Sequence, residues 1–297
     1  MCITLHASQL SGTKIYAGEA TRDGRYVHVL AYQNNATNSR PGPNAMVLPI
    51  PSASAMGAEN AIDTRAFKGF LGDIAEATKQ QSFSRSRGIS KGTVLNSALP
   101  AVFDVGSYTV VLGTDMEAAV QAVASVPENK RPELNADVLT AMAALYPGWS
   151  FAICCWDGKI EAEPLLWWYE PKAPSLLFAP SVDAHDGGPP KEGPVPVDAI
   201  VTFGSTLKPT GEREVRYRTA PPPEVKALLP TRAVGEKIKG RLDNGDFWYP
   251  VANFDGHADI EDTMGGLRKS QWRPKPALRF FPGMGTAKTE VRLGQWD

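Results

Sequence analysis

Residues 14–32 read KIYAGEATRDGRYVHVLAY, two strand-like runs joined by the dipeptide Asp23-Gly24. The runs Lys14 to Glu19 and Arg25 to Tyr32 contain the apolar, β-branched and aromatic residues that favour strands. An Asp-Gly pair accepts the positive φ angles that a two-residue turn needs, so the stretch predicts an antiparallel hairpin. The run Ile3 to Ala7 alternates apolar and polar positions and predicts a further strand. The chain therefore begins as an antiparallel meander.

Outward from this meander, helical periodicity is confined to the stretch between Thr64 and Tyr146. The first helix is predicted by apolar residues spaced as on one helical face: Phe67, Phe70, Leu71 and Ile74. The pattern Thr114 to Glu117 has the form of a capping box, and Pro132 lies where a third helix can begin. Strand patterns resume from Trp149. We therefore predict an α+β fold, with a β-rich body of mostly antiparallel strands and a helical insertion.

The composition changes most clearly in residues 183–198, where prolines and glycines discourage regular structure. This divides the chain into an α+β domain at 1–182, a Pro/Gly-rich loop or linker at 183–198, and a β-rich C-terminal region at 199–297. The C-terminal region is either a separate unit or part of the same domain. Both alternatives fit the sequence.

Other local patterns give narrower expectations. The polar stretch Asn34 to Asn44 predicts a loop, and Glu214 to Arg218 predicts a strand. The dipeptide Asn244-Gly245 is typical of a hairpin turn. Two final strands are expected at Pro276 to Phe281 and Thr289 to Leu293.

The composition is that of an ordinary globular protein. The 297 residues are 42% hydrophobic and 21% charged, with a formal net charge of -1. Such a balance gives no general attraction to nucleic acid or to an anionic membrane, so we expect neither partner. The first residues lack a signal-like pattern, and no apolar stretch approaches the roughly 18 residues of a membrane span. Three cysteines do not suggest a disulfide framework. We expect a soluble, cytoplasmic protein. The sequence does not identify its partner, and a protein and a small molecule are both left open.

Four short stretches follow one another in order along the first 180 residues. They are Ala45 to Pro51, Val105-Gly106-Ser107-Tyr108-Thr109-Val110, Gly148-Trp149-Ser150-Phe151, and Pro164 to Pro171. This order resembles a bacterial domain family of unknown function whose signature is aromatic-Val-Leu-Pro-Val-Pro. Met46 stands where that family usually has an aromatic residue. The resemblance implies an early meander followed by helices and strands, and it implies no activity.

Cys2 gives the sharpest chemical hypothesis. Removal of Met1 would place a free α-amine beside a thiol, the arrangement in which an N-terminal nucleophile hydrolase uses the amine as base. The start Met1-Cys2, with Leu5 three residues on, also resembles the choloylglycine and penicillin V acylase group. That group has an Arg and an Asp on its second strand, where this chain has Gly18-Glu19-Ala20-Thr21.

Metal and cofactor sites have little support in the sequence. Cys2 and His6 lie four residues apart on a strand, which separates them by roughly 13 Å, too far to share one ion. Cys154 and Cys155 should point to opposite faces of a strand, and the four histidines are widely scattered. We expect no metal and no cofactor. Phosphate-loop, dinucleotide and hydrolase-elbow motifs do not occur in the sequence.

Two polar or aromatic groups remain as candidates. Asp183, His185 and Asp186 can form a small acid-base or metal group, although the sequence favours solvated loop polarity as their explanation. The run Trp167-Trp168-Tyr169 can present a ligand-binding aromatic surface if it is exposed. The sequence favours a non-catalytic binding or structural protein. The alternative is an amide hydrolase that uses Cys2, so whether the chain is an enzyme is left open.

Overall fold

A computed structural model describes residues 2–78, 102–161, 163–208 and 214–254, together with the backbone of residues 279–280. The strands, in chain order, are β1 (Ile3–Thr4), β2 (Ser8–Arg22), β3 (Arg25–Asn38), β4 (Pro43–Ile50), β5 (Val102–Val105), β6 (Tyr108–Gly113), β7 (Ser150–Asp157), β8 (Lys159–Glu161), β9 (Leu165–Tyr169), β10 (Leu176–Ala179), β11 (Pro194–Ser205), β12 (Ala233–Asp243), β13 (Asp246–Pro250) and β14 (Arg279–Phe280). The α-helices are α1 (Phe70–Ala77), α2 (Met116–Ala122), α3 (Ala136–Leu145) and α4 (Pro223–Lys226). Short 3₁₀ turns lie at Ala58–Asn60, Arg65–Phe67, Val123–Ser125, Glu128–Lys130 and Val251–Phe254. The predicted β-rich α+β fold with mostly antiparallel strands is confirmed.

The hairpin of β2 and β3 has the predicted turn. Arg22 pairs with Arg25, and both intervening residues have positive φ, 51° at Asp23 and 74° at Gly24. Both signs match the type I′ turn that suits the twist of paired strands. The hairpin is longer than expected, because pairing continues to Ser8 opposite Asn38. The predicted loop Asn34 to Asn44 was therefore wrong at both ends, because residues 34–38 belong to β3 and residues 43–44 belong to β4.

The strands form two large sheets and one small sheet. The first sheet has the order β1-β4-β7-β6-β5, and all its pairings are antiparallel. The second has the order β12-β11-β2-β3-β8, with β9 also paired to β3. Its one parallel pairing joins β11 to β2. The small sheet is β10-β13-β14.

The two large sheets face each other across an apolar layer, which we call the intersheet core. Met46 and Leu48 of β4 lie in this layer, whereas their neighbours Ala45 and Val47 lie in a cluster on the outer face of the first sheet. The second sheet contributes inner residues in the same alternating way: Leu30, Tyr32, Val201 and Phe203. Both faces of each sheet are therefore buried, which explains why strands such as β4 and β7 are apolar almost throughout.

The predicted helical insertion is divided between the two outer faces. On the first sheet, α2 and α3 contribute Ala119, Val138 and Met142 to the outer cluster. On the second sheet, α1 contributes Phe67, Phe70, Leu71 and Ile74, the residues of the predicted helical face, together with the 3₁₀ turn before it. The order of layers is helix, sheet, sheet, helix. None of the described helices is long and apolar enough to cross a membrane.

Several local predictions for the second half of the chain were wrong. β11 begins at Pro194, inside the segment predicted as a loop to residue 198, and it joins the sheet that contains β2. Asn244-Gly245 does not make a hairpin, because β12 pairs with β11 whereas β13 pairs with β10. Residues 214–218 contain an isolated bridge, Glu214 to Arg232, in place of a strand. Of the expected final strands, residues 279–280 form β14, and the rest lie outside the described residues.

Candidate functional site

Cys2 enters the fold between two neighbouring backbone segments. On one side, the strand that follows it pairs with β4, and Leu5 N–H donates to the Ala45 carbonyl at 2.9 Å. On the other side, Ala184 N–H donates to the Cys2 carbonyl at 3.0 Å, and Thr4 N–H donates to the Ala184 carbonyl at 3.0 Å. Both edges of the N-terminal strand are therefore held by hydrogen bonds.

The Cys2 side chain faces the intersheet core and is buried. Its Sγ lies 3.9 Å from Asn34 Nδ2, which also lies 3.7 Å from Met46 Sδ. The Asn34 carboxamide is oriented by Tyr108, whose hydroxyl donates to Asn34 Oδ1 at 3.0 Å. Tyr32 also hydrogen-bonds with the thiol. Polar groups thus surround the sulfur within an otherwise apolar layer.

Burial raises the pKa of the Cys2 thiol from 9.0 to about 12. The positive N-terminal charge and the hydrogen bonds from Tyr32 and Asn34 lower the pKa, whereas the negative charge of Asp183 raises it further. The thiol is therefore neutral near pH 7. Because the thiolate is the nucleophilic form, a thiol in this state is a weak nucleophile.

Asp183 lies beside the backbone nitrogen of Cys2. Its Oδ1 accepts from Cys2 N–H at 3.4 Å and lies 3.1 Å from His185 Nδ1. Burial raises the pKa of the Asp183 carboxyl, but the hydrogen bond with His185 and the N-terminal positive charge outweigh it, so the pKa is lowered overall. The predicted group of Asp183, His185 and Asp186 is brought together in part, because Asp186 is exposed and accepts instead from Gly188 N–H at 2.9 Å.

Two buried side chains, Asn244 between β12 and β13 and Asp246 at the start of β13, hold the segment that carries Asp183. Asn244 Oδ1 accepts from Asp183 N–H at 2.7 Å, and Asn244 Nδ2 donates to the carbonyls of Asp183 and Lys191, each at 2.9 Å. Asp246 accepts from Ser181 N–H at 2.6 Å and from the Tyr146 hydroxyl at 2.6 Å. The Pro/Gly-rich segment is thus fixed to the body at its start.

A small cavity of about 10 Å³ borders Cys2, with room for about one water molecule. Its walls come from β4, from Tyr146 and from residues 180–182. Asp246 completes the lining, with its carboxylate already engaged as above. The N-terminal strand and residues 180–182 meet at this cavity, but the cavity volume is far below that of a small-molecule site.

The aromatic run Trp167-Trp168-Tyr169 is buried, with exposed fractions of 1%, 7% and 0%. Trp167 and Tyr169 point into the intersheet core, and Trp168 points to the other face, where its Nε1 donates to the Glu59 carbonyl at 2.9 Å. The Arg22 guanidinium lies 4.7 Å from the centre of the Trp168 ring. The prediction of an exposed ligand-binding surface at these residues was therefore wrong, because β9 is covered on both faces.

Cys154, Cys155 and His6 have different surroundings. Cys154 faces the intersheet core and Cys155 faces the first outer cluster, which confirms the prediction that they point to opposite faces. His6 Nε2 lies 2.8 Å from the Glu133 carbonyl. In the described ranges, no three His, Cys, Asp or Glu side chains are grouped so that they could hold a metal ion.

A second buried polar group surrounds Glu19, which the sequence did not single out. The Tyr26 hydroxyl lies 2.8 Å from Glu19 Oε2, and Ser205 Oγ donates to Glu19 Oε1 at 2.7 Å. His28 Nε2 lies 3.2 Å from both the Tyr26 hydroxyl and the Pro174 carbonyl. Burial lowers the pKa of His28 from 6.5 to about 4, so its ring is neutral near pH 7. These groups join β2, β3 and β11.

Asn34 is the residue beside Cys2 that sequence reasoning missed. It lies in a run of polar residues that resembles a loop, yet it is 1% exposed. The signal is the alternation Leu30, Tyr32, Asn34, Ala36, because the other three residues all lie in the intersheet core. Extending the period-2 pattern of β3 would have placed Asn34 inside.

Comparison with known proteins adds little to this geometry. No protein-family model matches the chain, and no curated protein matches it. The resemblance to the family of unknown function thus stays a prediction. The solved structure of baculovirus P35 is similar at 12% sequence identity, over 68% of this chain and 67% of that chain, with a TM-score of 0.42. A likeness at that level carries no conclusion about function.

Proposed function

We propose that this chain is a non-catalytic binding or structural protein in which Cys2 is a structural thiol. The observation that carries the proposal is the state of Cys2. Its thiol is buried, its pKa is raised to about 12, and the backbone on both sides of it is hydrogen-bonded. Reactive cysteines occupy partly exposed, electropositive sites in which the thiol pKa is lowered, whereas buried structural thiols are inert.

Other groups that often carry catalysis have structural partners here. Glu19 accepts from Tyr26 and Ser205, and Asp246 accepts from Tyr146 and Ser181. The Glu19 contacts connect β2, β3 and β11, and the Asp246 contacts connect β13 with the residue after α3 and with the segment after β10. They favour a role in specifying one arrangement of the layers.

The test is an amide-hydrolysis assay on purified protein and on two cysteine variants. Cys2→Ala removes the candidate nucleophile, and Cys154→Ala removes a thiol that is equally buried in the same layer. On a panel of phenoxyacetyl, aliphatic acyl and cholyl amides, we expect no turnover above background in any of the three proteins. Turnover that is lost in Cys2→Ala and kept in Cys154→Ala would overturn the proposal.

The second candidate is the amide hydrolase with Cys2 as nucleophile, and one observation favours it. Asn34 Nδ2 lies 3.9 Å from Cys2 Sγ, so this amide is a donor group close to where an oxyanion would form on a carbon bonded to that sulfur. With Met1 removed, the α-amine would take the thiol proton while sulfur attacks the amide carbon. The carbon–nitrogen bond would then break, the amine product would leave with that proton, and water would hydrolyse the thioester.

Mass spectrometry of the intact protein separates the two candidates. The hydrolase requires a chain that begins at Cys2, and an acyl donor whose thioester is hydrolysed slowly should add the mass of one acyl group to it. In Asn34→Ala, kcat should then fall about 10²–10³-fold, the effect of losing an oxyanion donor. A chain that retains Met1, or one that never gains an acyl group, excludes the hydrolase.

We also propose a cytoplasmic location for the chain. All three cysteines are free and buried in the structure, a state suited to a reducing compartment. Fractionation of the native host with an antibody to the chain tests this, and recovery in an exported fraction would contradict it.

A further inference from the structure

Pro174, in the connection between β9 and β10, covers a buried histidine. Pro174 is exposed, whereas His28 of β3 is 1% exposed. The Pro174 carbonyl lies 3.2 Å from His28 Nε2 and 3.0 Å from the Tyr26 hydroxyl. Because a carbonyl oxygen only accepts, we assign the proton of the neutral ring to Nε2. A hydrogen bond from His28 thus fastens this connection to β3.

The second nitrogen of the His28 ring is in a different position. Nδ1 is buried and has no hydrogen-bond partner in the described part of the chain. In the neutral ring this nitrogen only accepts, whereas in the protonated ring it is an N–H donor on a charged group. A buried charged donor without an acceptor costs more than a neutral acceptor without a donor. The folded arrangement therefore suits the neutral ring.

The groups that face His28 from neighbouring strands do not supply an acceptor to Nδ1. Glu19 faces it from β2, but both carboxylate oxygens are engaged by hydroxyl groups. Tyr169 faces it from β9, with the ring centres 5.9 Å apart and no hydrogen bond between them. β10 is apolar throughout, and Glu170 at the start of the connection pairs with Arg25 at 2.7 Å. A protonated ring therefore needs water at Nδ1.

We propose that the contact between His28 and Pro174 is an acid-sensitive switch, which opens the connection between β9 and β10 when His28 takes up a proton. Water then reaches the ring from the side that Pro174 covers. Burial lowers the pKa of His28 to about 4, although the hydrogen bond with Pro174 acts in the opposite direction. Protonation therefore favours the open connection, in which the ring is hydrated. The switch does not depend on whether Cys2 is catalytic.

The connection can open without separation of the sheets. β9 pairs with β3 only as far as Tyr169, and β10 begins its pairing with β13 at Leu176. Between these points the connection is fastened by backbone hydrogen bonds, from Lys172 N–H to the Pro51 carbonyl and from Val251 N–H to the Ser175 carbonyl. Movement of Pro174 therefore breaks neither strand pairing. It exposes the buried polar group around His28 and Glu19 to solvent.

The test measures hydrogen exchange of the amides of residues 172–176 at pH 7 and pH 5, in wild type, His28→Gln and His6→Gln. Gln at position 28 still offers a donor to Pro174 but has no proton to gain. His6→Gln is the matched control, because the His6 ring faces the Glu133 carbonyl.

In wild type and His6→Gln, we expect the protection of these amides, corrected for intrinsic exchange rates, to fall about twentyfold between pH 7 and pH 5. This is the change for a His28 pKa of 6.5 in the open state and about 4 in the closed state. In His28→Gln the protection should fall less than about threefold. A twentyfold fall in His28→Gln, or none in wild type, would overturn the switch.

A second measurement needs only wild-type protein and covers the case in which His28→Gln fails to fold. At pH 5 the amides of residues 172–176 should be at least about tenfold less protected than the slowest amides of β2 and β3. Equal protection in both places would mean that acid acts by unfolding the whole molecule, and the proposed local opening would be wrong.

Discussion

Asn244 is the residue whose removal should reveal most about how the Pro/Gly-rich segment is fixed. It is fully buried, and its carboxamide makes three hydrogen bonds to backbone groups of Asp183 and Lys191. A typical intramolecular hydrogen bond contributes about 1 kcal/mol, and a buried group left without its partner costs about 1–3 kcal/mol. Asn244→Ala should therefore lower the free energy of unfolding by about 3 kcal/mol or more.

Urea unfolding monitored by tryptophan fluorescence measures this loss, with the midpoint falling and the slope unchanged. Asp243→Ala is the control, because the neighbouring Asp243 is exposed and a surface change of this kind stays within about 0.5 kcal/mol. Hydrogen exchange gives the local readout, since the Asp183 amide donates to Asn244 and should lose its protection in the variant.

A loss of less than about 1 kcal/mol in Asn244→Ala would refute this reasoning. The segment would then behave as the linker that its composition suggests. An equal loss in Asp243→Ala would also refute it, because the effect would not come from the three hydrogen bonds.

Three further predictions follow from single side chains. The pKa of His28 is lower in the folded state than in the unfolded state, so its stabilising contribution is present above about pH 6.5 and is lost as pH falls toward 4. The loss in the free energy of unfolding is up to about 3 kcal/mol, and His28→Gln should flatten this part of the stability-against-pH curve. Trp168→Phe removes the hydrogen bond to the Glu59 carbonyl and weakens the contact with Arg22, and thermal unfolding should report a loss of about 1–2 kcal/mol. Asp115→Ala should cost about 1 kcal/mol in the same assay and Thr114→Ala much less, because Asp115 accepts from Ala118 N–H and is the N-cap of α2.

The sequence predicts well what depends on neighbouring residues. The Asp23-Gly24 turn, the buried face of α1 and the opposite orientations of Cys154 and Cys155 follow from local periods of 2 and 3.6. The start of α2 was displaced by one residue, since the capping-box pattern begins at Thr114 whereas Asp115 is the cap. Local chemistry thus predicts that an element exists more reliably than where it begins.

What the sequence could not predict depends on pairing between distant segments. Asn244-Gly245 has the chemistry of a hairpin turn, but the strands on its two sides pair with different partners. β11 lies parallel to β2, more than 180 residues earlier in the chain. The helices cover two opposite outer faces because each sheet has its own apolar outer side, and no local pattern says which sheet a helix covers.

The candidate site was predicted in part. Cys2 was identified from its position in the chain, and its neighbours Asn34 and Asp183 come from β3 and from the segment after β10. Polar residues buried between sheets look like loop residues in a sequence, because their partners lie far along the chain. The exposure of Trp168 was likewise beyond local reasoning, since an apolar strand fits one covered face or two.

Alkylation of Cys2 in the native protein tests the central claim, that this thiol is held neutral between the two sheets. Iodoacetamide labelling at pH 7.5, with peptide mass spectrometry to assign the site, should proceed at least about a thousandfold more slowly than in urea-unfolded protein. Labelling of Cys2 within about tenfold of the unfolded rate would contradict the buried, neutral thiol on which the proposed function rests.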